Sequence, residues 1–178
     1  MRIVTCDITD GGPDRLVMHL LADLSEALEV YARHYGNGDV PELACATGEK
    51  DLRGDVAVLG LAAGRDVGTA ALPVGTRVYA VVTTPSLDAT TASPALASLE
   101  RACAQADARW SGALVVGDAA WQLRWAASPR MGWRRRGTSE AVDRLIAAIR
   151  SGADFPVEQA RAPLPRRLCL ALGSGPRR

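Results

Sequence analysis

The stretch Thr76–Ala120, TRVYAVVTTPSLDATTASPALASLERACAQADARWSGALVVGDAA, decides the fold. Its opening run, TRVYAVVTT, is rich in β-branched side chains and is bounded by Gly75 and Pro85. That composition suits a strand buried on both faces. Ser93 then stands as an N-cap with Pro94 at the first helical position, and Leu96, Leu99, Cys103 and Ala106 fall on one helical face. WSGALVVGD, Trp110–Asp118, restores the strand pattern. Two parallel strands joined by one helix form a right-handed βαβ unit, and in open sheets of that kind ligands sit beyond the carboxyl ends of the strands. Here those ends are TTPSL (Thr83–Leu87) and VGDAAW (Val116–Trp121).

Working outward, RIVTC (Arg2–Cys6) reads as a short first strand, and the polar turn DITDGGP leads to a helix starting near Asp14. Val17, Leu20, Leu21, Leu24, Leu28, Tyr31 and Tyr35 mark its apolar face, and Gly36 and Gly38 end it. Pro41 makes VPELACA, Val40–Ala46, an edge strand, whereas DVAVLGL, Asp55–Leu61, reads as a buried one. The connection Ala62–Gly75 contains Gly64, Gly68, Pro73 and Gly75 and offers one short helix at best, around Val67–Leu72. Beyond the βαβ unit, Gln122–Gly137 reads as a long loop. Thr138 is expected to cap a last helix with core face Val142, Leu145, Ile146 and Ile149, stopped by Gly152. This alternation predicts an α/β three-layer sandwich, most economically a five-stranded parallel sheet in the order 2-1-3-4-5. It occupies residues 1–155, and residues 156–178 form a basic, proline-broken tail packed on the domain or extending from it.

At 178 residues, 48% hydrophobic and 23% charged, the chain has the size and composition of one globular domain, able to bury roughly 70% of its unfolded surface. No apolar run reaches the roughly 18 residues of a membrane helix, and Met1–Thr5 lacks the basic and apolar regions of a signal peptide. A cytoplasmic location with no membrane partner is therefore expected. The cysteines, Cys6, Cys45, Cys103 and Cys169, form no CxxC pair, so reduced structural thiols are expected rather than a zinc site or a redox dithiol. His19 and His34, both on the first helix, lie about 22 Å apart along its axis and cannot share a metal. Charge is unevenly spread. Residues 1–100 carry 7 basic and 14 acidic groups, and residues 101–178 carry 14 basic and 6 acidic groups, within a net charge of +1. Lys50 is the only lysine among the 21 basic residues, which reads as a coding bias toward arginine.

These residues carry a resemblance. A five-stranded sheet with a phosphate-type loop after strand 1 resembles the flavodoxin-like fold, especially the NAD(P)H-dependent FMN reductases and quinone oxidoreductases. TRVYAVVTTP is similar to that family's fourth strand, ARWSGALVVGDAA to its fifth strand and following turn, and MGWRRRGTSEAVDRLIAAIRSG stands at the position of its terminal helix. The resemblance implies a flavoprotein oxidoreductase with FMN as cofactor and NAD(P)H as a partner, in which homodimerisation is open. It places the cofactor on Thr9, Asp10, Gly11 and Gly12 after strand 1, Ala62 and Ala63 after strand 3, Thr84, Pro85 and Ser86 after strand 4, and Gly117 and Asp118 after strand 5. No metal site is implied, and no side chain is assigned as a general acid or base.

The departures from that pattern are specific. Asp10 and Asp14 put negative charge where a phosphate dianion sits, and Pro13 removes an N–H donor. Ala62-Ala63-Gly64-Arg65 carries no aromatic side chain against a flavin ring. An alternative is therefore kept: a flavodoxin-like binding or interaction module that has lost FMN. Arg130, Trp133, Arg134, Arg135 and Arg136 are either a solvated basic loop or a surface for a nucleotide phosphate, nucleic acid or acidic partner; nucleic acid is not expected. His19 reads as a surface or core residue rather than a proton shuttle.

Overall fold

Runs such as VAVLGLA (Val56–Ala62) and RVYAVVT (Arg77–Thr83) have no polar face, and nearly every residue in them is buried. Such strands need cover on both sides, and they receive it. The computed structural model of the chain describes residues 1–8, 16–35, 41–46, 52–64 and 72–162. Its elements are β1 (Arg2–Asp7), α1 (Leu16–Tyr35), β2 (Glu42–Ala46), β3 (Val56–Ala62) and β4 (Arg77–Thr83), then a 3-10 turn (Ala89–Ala92) running into α2 (Ser93–Gln105). They continue as β5 (Arg109–Val116), α3 (Ala119–Leu123), α4 (Arg136–Ser151) and β6 (Glu158–Gln159).

The sheet order is β2-β1-β3-β4-β5-β6, and every adjacent pair is parallel. The α/β class and the order of the first five strands follow the reading of the sequence. The count of five does not: Glu158 and Gln159 pair with Leu114 and Val115 to add a sixth strand. Two polar residues carry no hydrophobic pattern, so only the neighbouring strand reveals them. The short helix around Val67–Leu72 falls largely outside the described residues.

Alternate strand residues feed two cores. Ile3, Val58, Tyr79, Val81, Leu114 and Val116 face α1 and α4, whereas Val4, Cys6, Leu59, Val82, Ala113 and Val115 face α2 with Leu52 and Leu72. Helix α1 buries Val17, Leu20, Leu21, Leu24 and Leu28, and Tyr31 is half-buried against the same core. In α4, Val142, Leu145, Ile146 and Ile149 are all buried, each worth about 1.5–3 kcal/mol.

Two helix starts differ from the sequence expectation. Helix α4 begins at Arg136, so Thr138 lies in its first turn, buried, with its hydroxyl donating to Gln122 Oε1 (2.9 Å) instead of capping a backbone N–H. Ser93 is preceded by the 3-10 turn, whose cap is Asp88, accepting from the Thr90 N–H (3.0 Å). Gln122 itself sits in α3 rather than in a loop.

The amino edge of the sheet is closed. Across from Tyr79, β5 carries an irregularity between its pairings Val78↔Trp110 and Ala80↔Ala113, a β-bulge at Ser111 and Gly112. There the Phe155 N–H donates to Ser111 O (2.7 Å), the Tyr79 hydroxyl donates to Ala153 O (2.7 Å), and Asp154 accepts from Arg77, Arg109 and Ser111. Gly112 has φ +114°, and a Cβ on it would stand 1.7 Å from the Phe155 carbonyl oxygen. Gly112→Ala is therefore expected to destabilise the protein by about 2–4 kcal/mol, since it combines a disfavoured backbone with a backbone clash. Urea unfolding measures this, and a midpoint equal to that of the wild type would contradict the close approach.

Candidate functional site

With every strand pointing the same way, the carboxyl ends share one edge, and the strand order reverses between β1 and β3. Ile8, leaving β1, donates its N–H to Gly60 O (2.9 Å), and Ala63, leaving β3, donates to Thr83 O (2.7 Å). The exits of β1, β3 and β4 are thereby held side by side. Of the residues expected to hold a cofactor, Thr9, Asp10, Gly11 and Gly12 lie outside the described residues. Ala62 and Ala63 are half-buried next to the end of β4, and no atom of the described residues lies within 4 Å of where a Cβ on the neighbouring Gly64 would stand.

Thr84, Pro85, Ser86, Gly117 and Asp118 do come together, but largely by bonding one another. The Thr84 N–H donates to Val116 O (2.9 Å), and its buried hydroxyl donates to Ser86 O (2.6 Å). Asp118 N–H donates to the same Ser86 oxygen (3.0 Å), and Ala119 N–H donates to Thr84 O (3.0 Å). The turn is tightly packed at Gly117, where a Cβ would meet Ser86 O at 3.0 Å and Leu87 Cα at 3.1 Å. Pro85 and Ser86 remain exposed on the rim.

No protein-family model, curated protein or solved structure matches the chain. Among the described residues no group of three His, Cys, Asp or Glu side chains is placed to hold a metal ion, and no helix is long and apolar enough to cross a membrane.

Two polar side chains that the sequence reading passed over support this edge. Gln122 Nε2 donates to Gly117 O (3.2 Å) while its oxygen receives Thr138, and Gln159 Nε2 donates to Leu87 O (2.6 Å). The signal for Gln122 was a lone amide between Trp121 and Leu123; Gln159 gave none, because β6 is invisible in the pattern. The loop and 3-10 turn after β4 and the end of β6 border an open cleft of about 550 Å³ lined in part by Leu87, Asp88, Thr90, Gln159 and Arg161.

The arginine run divides instead of forming one solvated loop. Arg135, 8% exposed, pairs with Asp23 on α1 and donates to Ala126 O (2.8 Å) and Ser128 O (3.0 Å). Arg130 pairs with Asp143 (2.5 Å), and Arg136 with Glu140 (2.8 Å) along the exposed surface of α4. Burial pushes the Asp23 carboxyl up, and the Arg135 guanidinium only partly offsets it. Arg134 instead lies over Trp125 (4.0 Å to the ring centre) and Trp133 (5.1 Å). His19 is exposed.

Asp118 has a left-handed backbone (φ 53°), and burial raises its carboxyl above the ordinary carboxylate range. A raised folded-state value means that the folded protein binds the proton more tightly, so stability falls as pH rises through that window and is regained below it. Asn tolerates the left-handed region and cannot ionise. Asp118→Asn is expected to be more stable than the wild type at neutral pH, with the advantage vanishing in acid below the ordinary carboxylate range. Thermal melts across pH test this, and an advantage that grows on acidification would contradict it.

Proposed function

We propose that this chain is a flavodoxin-like protein of the NAD(P)H-dependent FMN reductase kind, binding FMN at the carboxyl edge of its sheet. The observation that supports the reading is the reversal of strand order between β1 and β3 with the β4 exit bonded alongside. In doubly wound sheets that is where a mononucleotide lies. The phosphate would rest over Thr9, Asp10, Gly11 and Gly12, and the ring along Ala62, Ala63 and the Thr84–Ser86 rim. Small side chains suit a flat ring: Ala62 and Ala63 present only methyl groups, and among the described residues nothing crowds the position beside Gly64. Bound flavin supplies the hydride chemistry, and the protein supplies placement and exclusion of water. Asp118, whose N–H donates to Ser86 O, and Gly117, packed beside it, would hold the rim in position.

A second reading, an FMN-free interaction module, draws on one specific observation. The Thr84 hydroxyl and the Ser86 carbonyl satisfy each other and the Asp118 N–H, which leaves fewer polar groups for a ring edge.

The two readings are separated by charge. A carboxylate facing a phosphate dianion at contact distance costs on the order of several kcal/mol at an effective dielectric near 20. The wild type is therefore expected to bind FMN weakly, and Asp10→Ser at least about tenfold more tightly. Titration by quenching of flavin fluorescence measures both. Submicromolar binding by the wild type would defeat the charge argument while supporting the enzyme, and no binding by either form would overturn the flavin reading in favour of the module.

A further inference from the structure

The turn between α3 and α4 carries chemistry that the flavin reading does not use. Residues 124–136 include Arg124, Arg130, Arg134, Arg135 and Arg136, together with Trp125 and Trp133. Arg130, Arg135 and Arg136 each meet a carboxylate. Among the described residues Arg134 meets none, and its guanidinium is held against two indoles. That contact fixes its plane while leaving its charge uncompensated.

Two donors of the same stack, Arg134 Nε and Trp125 Nε1, are buried without a hydrogen-bond partner among the described residues. Buried donors ordinarily find an acceptor, and two orphans beside an unpaired cation favour an anionic oxygen. Next to them Trp133 is 61% exposed and, with Arg134, Ser128, Pro129 and Gly132, lines a hollow of about 230 Å³. An exposed indole beside a positioned guanidinium matches a planar heterocycle linked to a phosphate.

We infer that the Trp133–Arg134 hollow is a nucleotide-binding site: the base stacks on the exposed face of Trp133, and the phosphate accepts from the Arg134 guanidinium, whose stacking partner Trp125 senses the contact through its ring. Trp121, edge-on to Trp125 at 6.0 Å, backs the stack from the buried side. The occupant is a single nucleotide rather than a polynucleotide strand, because one exposed ring and one indole-stacked guanidinium make a small site. The acidic first half of the chain also opposes a tracking groove. A carboxylate-bearing peptide would use the cation but has no need of the ring. This site shares no lining residue with the proposed flavin crevice and does not depend on it.

Calorimetric titration with ADP at low salt tests the inference, together with the NMR signal of the Trp125 indole N–H. ADP is expected to bind the wild type and move that signal. Arg134→Gln and Trp133→Leu should each weaken binding by about tenfold, and inorganic phosphate should bind more weakly than ADP. Trp133 is exposed, so its variant remains informative if Arg134→Gln disturbs the packing on Trp125. The ADP-induced shift of the Trp125 indole N–H is read at this hollow and not at the flavin crevice, which keeps a failure here distinct from a failure of the flavin reading. The inference is overturned if ADP neither binds nor shifts the indole, or if both variants bind it as the wild type does. It is equally overturned if an oligo(dA) strand binds far more tightly than ADP with a steep salt dependence, or if poly-glutamate matches ADP and Trp133→Leu is without effect.

Discussion

Parallel pairing of every strand is the constraint on which the rest of this structure depends. Parallel neighbours cannot be joined by a tight turn, so each connection must cross a face of the sheet, and both faces become core. Alternation along one strand then serves two partners: Val81 meets the α1 and α4 layer while Val82 meets the α2 layer. Parallel pairing also sorts the two edges by role. The amino edge is shut by Asp154, Phe155 and the bulge at Gly112, and the carboxyl edge gathers the loop exits.

Charge follows the same division. An overall balance of +1 conceals ion pairs that join distant parts of the chain, chief among them Asp23 of α1 with Arg135 before α4. Removing one partner of such a buried pair leaves an uncompensated charge and costs about 3–5 kcal/mol. The pair is satisfied further by the Ala126 and Ser128 carbonyls, which hold the turn in one shape. That turn in turn presents Trp133 and Arg134 at the surface. An arginine-rich composition here is thus partly a structural device, with three of the five arginines in residues 124–136 paired to carboxylates of α1 or α4.

Local pattern carried most of the fold. The β-branched runs at Val56 and Val78 and the four apolar positions of α4 announce themselves because burial on a repeating face leaves a periodic trace. Strand β6 left no trace, since two polar residues beside Leu114 and Val115 are ordered by their neighbour rather than by their own hydrophobicity. Thr138 looked like a cap because a hydroxyl before a helical run usually is one; its partner, Gln122, lies 16 residues back. The site was legible only as strand ends. That Thr84, Ser86 and Asp118 would bond each other, or that Arg134 would separate from its paired neighbours, depends on contacts between segments that no local spacing encodes.

The central claim is that the carboxyl edge at the β1/β3 reversal is the ligand-binding edge. Backbone amide shifts in a ¹⁵N NMR titration with FMN test it most directly, because they report position as well as affinity. The account predicts perturbation at Ile8, at Ala62–Gly64, at Thr84 and Ser86, and through the loop after β1, with none at Ala153–Phe155 on the opposite edge. Shifts centred on the amino edge, or confined to Trp125 and Trp133, would contradict it.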